Sequence, residues 1–194
     1  SFPTRRSSDL LVRAILNFNV LGDYTSCGCR GERSNGNGAL MRILPICIYY
    51  IEKQEGSSNS NDNNNSDLDA VEGIHVTSGL THHHLRSQMA CGLYYFMAKE
   101  IVKAKRQSSD HGKVALITCL QAGLDAGIKF YGEYSQYSQE EDQTIRKRKQ
   151  KIILTQMAYY ERLFHLDKYK KVPSRYIRST GYVVDSIEAA VWSL

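Results

Sequence analysis

Leu85-Arg86-Ser87-Gln88-Met89-Ala90-Cys91-Gly92-Leu93-Tyr94-Tyr95-Phe96-Met97-Ala98-Lys99 is the stretch that decides the fold class. Its centre, Met89 to Ala98, is apolar or glycine on every side, which suits a helix enclosed by other elements rather than one lying on a surface. Lys99, Lys103, Lys105 and Arg106 follow, placing positive charge toward the negative end of a helix running from Leu85 to Arg106. A buried central helix needs neighbours, and the flanking sequence supplies them. Ala39 to Glu55 is apolar and helix-compatible, interrupted at Pro45, which removes a backbone donor and should kink or restart the segment. Lys113 to Phe130 repeats Leu116, Leu120, Leu124 and Ile128 at every fourth position. Ile145, Ile152, Ile153, Met157, Tyr160 and Phe164 mark another face near the 3.6-residue period. Val183, Val184, Ile187, Ala190, Val191 and Leu194 form a last stripe, with Asp185 and Glu188 in a capping-box relation. Runs alternating with period two are nearly absent. The expectation is an all-α, multi-helical single domain.

Composition agrees with one globular unit: of 194 residues, 42% are hydrophobic and 23% charged, which excludes a chain disordered throughout. The apolar stretches Ile43 to Ile51 and Met89 to Ala98 fall short of the roughly 20 residues that cross a bilayer, so no membrane partner is expected. A net charge of +5 is too mild for a dedicated nucleic-acid binder and equally suits a small anionic ligand. Five cysteines at irregular spacing argue against a disulfide framework and for a reducing, cytoplasmic setting. Cys27-Gly28-Cys29 lacks the second pair that a zinc site requires.

Residues 1–10, Ser-Phe-Pro-Thr-Arg-Arg-Ser-Ser-Asp-Leu, read like one frame of a sequencing-adapter oligonucleotide ending in CTCTTCCGATCT. They are set aside as a technical scar, leaving 11–194 as protein. Without Arg5, Arg6 and Asp9 the net charge is +4. Gly56 to Asp67, built almost wholly of Ser, Asn, Asp and Gly, is expected to be a mobile surface loop. Asp67 and Asp69 there form an Asp-x-Asp pattern that a floppy segment could not preorganise for a metal. Arg146-Lys147-Arg148-Lys149-Gln150-Lys151 reads as the solvated face of the helix around Ile152, with a nucleic-acid patch as the rival reading.

Two polar stretches carry chemistry. Arg33-Ser34-Asn35-Gly36-Asn37-Gly38-Ala39-Leu40-Met41-Arg42 is a glycine-rich loop leading into an apolar helix, where backbone N–H groups at the helix start can receive phosphate. Gly36 and Gly38 let the backbone approach a ligand, while Ser34, Asn35 and Asn37 add side-chain donors and acceptors. His75-Val76-Thr77-Ser78-Gly79-Leu80-Thr81-His82-His83-His84 is the second, again polar and leading into a buried helix. Three consecutive histidines point in different directions, so one or two at most face a site.

Together these blocks resemble the ADP-ribosylglycohydrolase family. The likeness rests on Ser34-Asn35-Gly36-Asn37-Gly38-Ala39-Leu40-Met41-Arg42-Ile43-Leu44-Pro45, on Ser78-Gly79-Leu80-Thr81-His82 with Arg86-Ser87-Gln88-Met89-Ala90-Cys91-Gly92, and on Ser179-Thr180-Gly181-Tyr182-Val183-Val184-Asp185-Ser186-Ile187-Glu188-Ala189-Ala190-Val191-Trp192. The resemblance implies an all-α fold that hydrolyses the glycosidic bond between ADP-ribose and a modified protein side chain or small acceptor, with two Mg²⁺ ions in a cleft. It implies that Ser34, Asn35, Gly36, Asn37 and Gly38 hold the diphosphate and adjoining ribose, that His82 reaches the ligand, and that Gly181, Tyr182 and Val183 line the adenosine side. The sequence departs from the family at His83, often a small residue there, and at Leu85, often Pro. It also lacks the acidic metal-ligand motifs, Thr-Asp-Asp before the first block and Asp-x-Asp-Thr after the last. The expectation is therefore an internal piece, truncated at both ends, that holds part of an ADP-ribose pocket and no metal ligands or catalytic acid of its own. The alternative is an ADP-ribose-binding module without catalysis.

Overall fold

The structure, a computed structural model, describes residues 7–25, 27–56, 63–107, 115–137 and 142–194. Eight α-helices are formed among them: α1 (Ser7–Leu21), α2 (Leu44–Gly56), α3 (Asn63–Gly79), α4 (Leu85–Gln107), α5 (Leu116–Glu133), α6 (Gln143–Met157), α7 (Leu166–Tyr169) and α8 (Val183–Ser193). Short 3₁₀ turns join several of them, the longest at Ala158–Phe164. No strand occurs among the described residues, and the protein is an all-α single domain.

The quoted stretch is the centre of the molecule. Met89, Ala90, Cys91, Leu93 and Tyr95 on α4 are wholly enclosed, and α2, α3, α5, α6 and α8 all pack on it. The basic residues after Ala98 also pair across helices: Lys99 with Asp67 of α3 at 2.6 Å, and Arg106 with Glu52 and Glu55 of α2. Against α4 lies α5, which buries Cys119, Leu120, Gly123, Leu124, Gly127, Phe130 and Tyr131. This face is rotated from the expected Leu116, Leu120, Leu124, Ile128 stripe. A strict four-residue repeat drifts about 40° per step, so Leu116 and Ile128 slide to the flanks and glycines take the contact.

Other departures have physical causes. The segment at Pro45 restarts rather than kinks: a 3₁₀ turn at Leu40–Arg42 ends, and α2 begins at Leu44 with Pro45 in its first turn, where a missing N–H costs nothing. The loop expected over Gly56 to Asp67 does not include Asn63 to Asp67, which open α3, and Gly56 closes α2; residues 57–62 lie outside the described residues. Cross-helix bonds hold this polar start. Asp67 Oδ1 accepts from Tyr95 Oη at 2.8 Å and from Lys99, and Asp69 pairs with Lys53 at 2.7 Å. On α6 it is Ile153 and Met157 that are buried, while Ile145 and Ile152 are exposed alongside Lys147, Arg148, Lys149 and Lys151. Asp142 caps this helix, accepting from the N–H of Thr144 at 2.7 Å.

The capping box at Asp185 and Glu188 does not form, because α8 begins earlier, at Val183 after Tyr182. Asp185 accepts from the Thr180 hydroxyl instead, and the buried Glu188 pairs with Arg162 at 2.9 Å. Residues Ser7–Leu10 of the decade set aside are continuous with α1, and Leu10 is buried. Leu11, Val12, Ile15 and Leu16 on that helix are exposed. No helix among the described residues is long and apolar enough to cross a membrane.

Candidate functional site

The segment from Cys29 to Arg42 sits between the other two blocks and is tied to each by one isolated β-bridge. Gly36 pairs antiparallel with Tyr182. Asn37 N–H donates to Gly181 O and Val183 N–H to Asn35 O, both at 2.9 Å, so the start of α8 is capped by the loop's own backbone. The side chains extend the pairing. Asn37 Nδ2 donates to Ser186 Oγ at 3.0 Å, and the Ser186 hydroxyl donates to Thr180 O. Asn35 is fully enclosed: its Nδ2 donates to Glu32 O and its Oδ1 accepts from the Ser87 hydroxyl of α4 at 3.1 Å. The Asn35 amide is thus occupied in fixing the loop to the core helix. The helix start expected directly after Gly38 is a 3₁₀ turn, with α2 beginning only at Leu44.

On the other side Cys29 pairs in parallel with His82, through Cys29 N–H to Thr81 O at 3.2 Å and His83 N–H to Cys29 O at 2.9 Å. Gly28 makes this approach possible, since a Cβ there would fall on the carbonyl of Gly79. The Cys27 thiol donates to the carbonyls of Tyr24 and Leu80, so it serves packing. All five cysteines are free. Of the three consecutive histidines only His82 is fully enclosed. Its Nδ1 lies 2.7 Å from Thr81 Oγ1, and Thr81 Oγ1 also accepts from the Arg42 guanidinium. Arg42 Nη1 donates to Gly38 O at 3.0 Å, so one side chain grips both polar blocks. Burial, and then the charge of Arg42, push the His82 pKa down to about 4. His84 turns away, its Nδ1 accepting from the N–H of Arg86 at the start of α4.

Beneath the loop lies Arg86, 3% exposed. Its guanidinium donates from Nη1 to Glu32 Oε2 and to Tyr182 Oη, each at 3.0 Å, and from Nε to Gln156 Oε1 at 3.0 Å. It also stacks 3.5 Å from the ring centre of Tyr159. One side chain therefore connects all three blocks with α6 and the following 3₁₀ segment. Sequence reading assigned Arg86 and Arg42 no role. The signal present was a lone arginine in the first turn of the central, most enclosed helix, where burial demands a set of acceptors.

Every nominated residue is thus brought into one neighbourhood, with different parts facing it. Ser34, Asn35, Gly36 and Gly38 are buried, and Asn37 is half-buried. Val183 contributes its backbone only, since its side chain is in the core, whereas Tyr182 is half-buried and Gly181 exposed. Among the described residues no three His, Cys, Asp or Glu side chains stand close enough to hold a metal ion. The family model described as ADP-ribosylglycohydrolase matches residues 6–194. The chain belongs to the ADP-ribosylglycohydrolase family. No curated protein and no solved structure gives a match. For an ADP-ribosylglycohydrolase, the activity in general is hydrolysis of ADP-ribosyl linkages.

Proposed function

We propose that the chain supplies the ADP-ribose-binding part of a hydrolase that removes ADP-ribose from a modified protein side chain or small acceptor. The observation that carries this reading is the double tether of the Cys29–Gly38 segment, by Cys29 to His82 and by Gly36 to Tyr182, which brings the three polar blocks together in a chain that the family model matches over residues 6–194. In this reading the diphosphate and adjoining ribose lie against the loop, with Asn37 and His82 as polar contacts. The half-buried Tyr182 ring, fixed through its hydroxyl to Arg86, offers a wall for the adenosine side. A diphosphate suits such a place because a nearby guanidinium, that of Arg42 beside Gly38 and Thr81, compensates its charge.

Magnesium belongs to this proposal through the family's chemistry. The described residues provide no carboxylate set that fits a pair of Mg²⁺ ions, which would need the acidic motifs this sequence lacks. No step is therefore derived through the metal. Calorimetry with ADP-ribose tests the binding half: the chain binds, and Asn37→Ala and His82→Ala each weaken binding. Unchanged affinity in both variants overturns the placement. The catalytic half is tested on a gene product that includes both acidic motifs, supplied with Mg²⁺. Failure to release ADP-ribose from arginine-linked, serine-linked or other substrates would sink it.

A further inference from the structure

We propose that Arg42 and Thr81 form a relay that fixes His82 as a neutral hydrogen-bond donor through Nε2, and that this N–H is given to an oxygen of the bound ligand. The ligand half rests on the ADP-ribose reading above; the relay does not.

The direction of each bond follows from what each group can do. A guanidinium carries donors only, so in the contact between Arg42 Nη2 and Thr81 Oγ1 the threonine oxygen accepts. The hydroxyl still has one proton to place. Its other neighbour is His82 Nδ1 at 2.7 Å. Thr81 is 4% exposed, so a proton turned elsewhere would be buried without an acceptor. Nδ1 therefore accepts and is bare, which places the proton of the neutral ring on Nε2.

Nε2 is where the ring is incomplete. His82 is 0% exposed, and its Nε2 has no hydrogen-bond partner among the described residues. A buried N–H left without an acceptor is costly, and a fold that fixes one so firmly from the Nδ1 side holds it ready for an acceptor from outside the chain. The same wiring excludes a role as general base. The Nδ1 lone pair is engaged by Thr81, and Nε2 carries the proton. Burial and the positive Arg42 keep the ring uncharged at neutral pH. His82 is then an electrophilic contact to a ribose or phosphate oxygen, and Arg42 and Thr81 are positioning residues acting through it.

Histidine-specific ¹⁵N labelling of the whole chain, read by long-range ¹H–¹⁵N correlation at pH 7, tests this directly, with His82→Gln assigning the resonance. The expected ring is neutral, protonated on Nε2 and bare on Nδ1. Thr81→Val moves proton density to Nδ1, and Thr81→Ser restores the native pattern. ADP-ribose binding to Thr81→Val is about threefold to tenfold weaker, and to Thr81→Ser near the native value. A native ring protonated on Nδ1, or on both nitrogens, overturns the relay whether or not any variant folds.

Titration then locates the acceptor. An Nε2–H resonance that moves with both ADP and ADP-ribose marks a phosphate oxygen, and one that moves with ADP-ribose alone marks the distal ribose. A resonance unmoved when ADP-ribose is bound overturns the donor role. No binding of ADP-ribose with the Nε2–H tautomer in place supports the relay and overturns the reading of the site.

Discussion

A methyl group added at Gly123 tests the packing on which the whole arrangement rests. In Gly123→Ala the new Cβ would lie 2.5 Å from Met97 Cα, 2.6 Å from Phe96 O and 2.7 Å from Met97 N, whereas ordinary contact begins near 3.4 Å. All three atoms are main chain of α4, so no side-chain rotation relieves the overlap. The two helices must separate by roughly 1 Å along a close-packed seam. Overpacking of this kind costs about 1–3 kcal/mol, and a clash wholly with backbone belongs at the upper end. With a urea dependence of roughly 2 kcal/mol per molar, the unfolding midpoint should fall by about 1–1.5 M. Gly132, on the same helix, has no atom within 4 Å of a built Cβ. Gly132→Ala should therefore leave the midpoint unchanged or raise it by the helix-propensity gain, at most about 1 kcal/mol. Equal midpoints for the two variants would refute the claim that glycine sets the α4–α5 spacing.

Arg86→Met should destabilise the protein by about 2 kcal/mol, since Glu32, Tyr182 and Gln156 lose a shared donor, and Arg86→Lys should not rescue it, because one ammonium cannot reproduce the fork. Native stability of the lysine variant in a urea titration would count against the hub. Gly28→Ala should open the pairing of Cys29 with His82, seen as faster hydrogen exchange at the His83 amide; unchanged protection would contradict the steric account. Burial holds His75 and His82 down to about 4 in the fold, against about 6.5 when unfolded. The unfolded chain thus takes up protons that the fold refuses, and stability should decline as pH falls from about 6.5 to 4. A urea midpoint that stays level from pH 7 to pH 5 would show that neither ring is so enclosed.

Periodicity alone reached the helices with an apolar face. Met89 to Ala98 could only be enclosed, and Val183 to Val191 could only dock one side. It did not reach α3, whose opening residues carry no apolar stripe. That helix is held by partners distant in sequence, such as Lys99 for Asp67 and Lys53 for Asp69. Nor could composition show that Asn35 is spent on Ser87 rather than offered to a ligand, because a buried amide and a binding amide have the same letter. The gathering of the three blocks was visible only through family motifs. Nothing local in Gly36 announces Tyr182 as its partner, since two single bridges leave no alternating pattern in the sequence.

The bond from Asn37 to Ser186 spans 149 positions. During synthesis the glycine loop leaves the ribosome well before its α8 partner, so the loop must wait as an open segment with unmet donors. Closing so long a span is entropically slow, which makes assembly of the candidate site a late event in folding. A folding intermediate that has assembled α2 to α5 would hold a native core and no ligand site. Ligand binding at the candidate site would then report that α8 has docked.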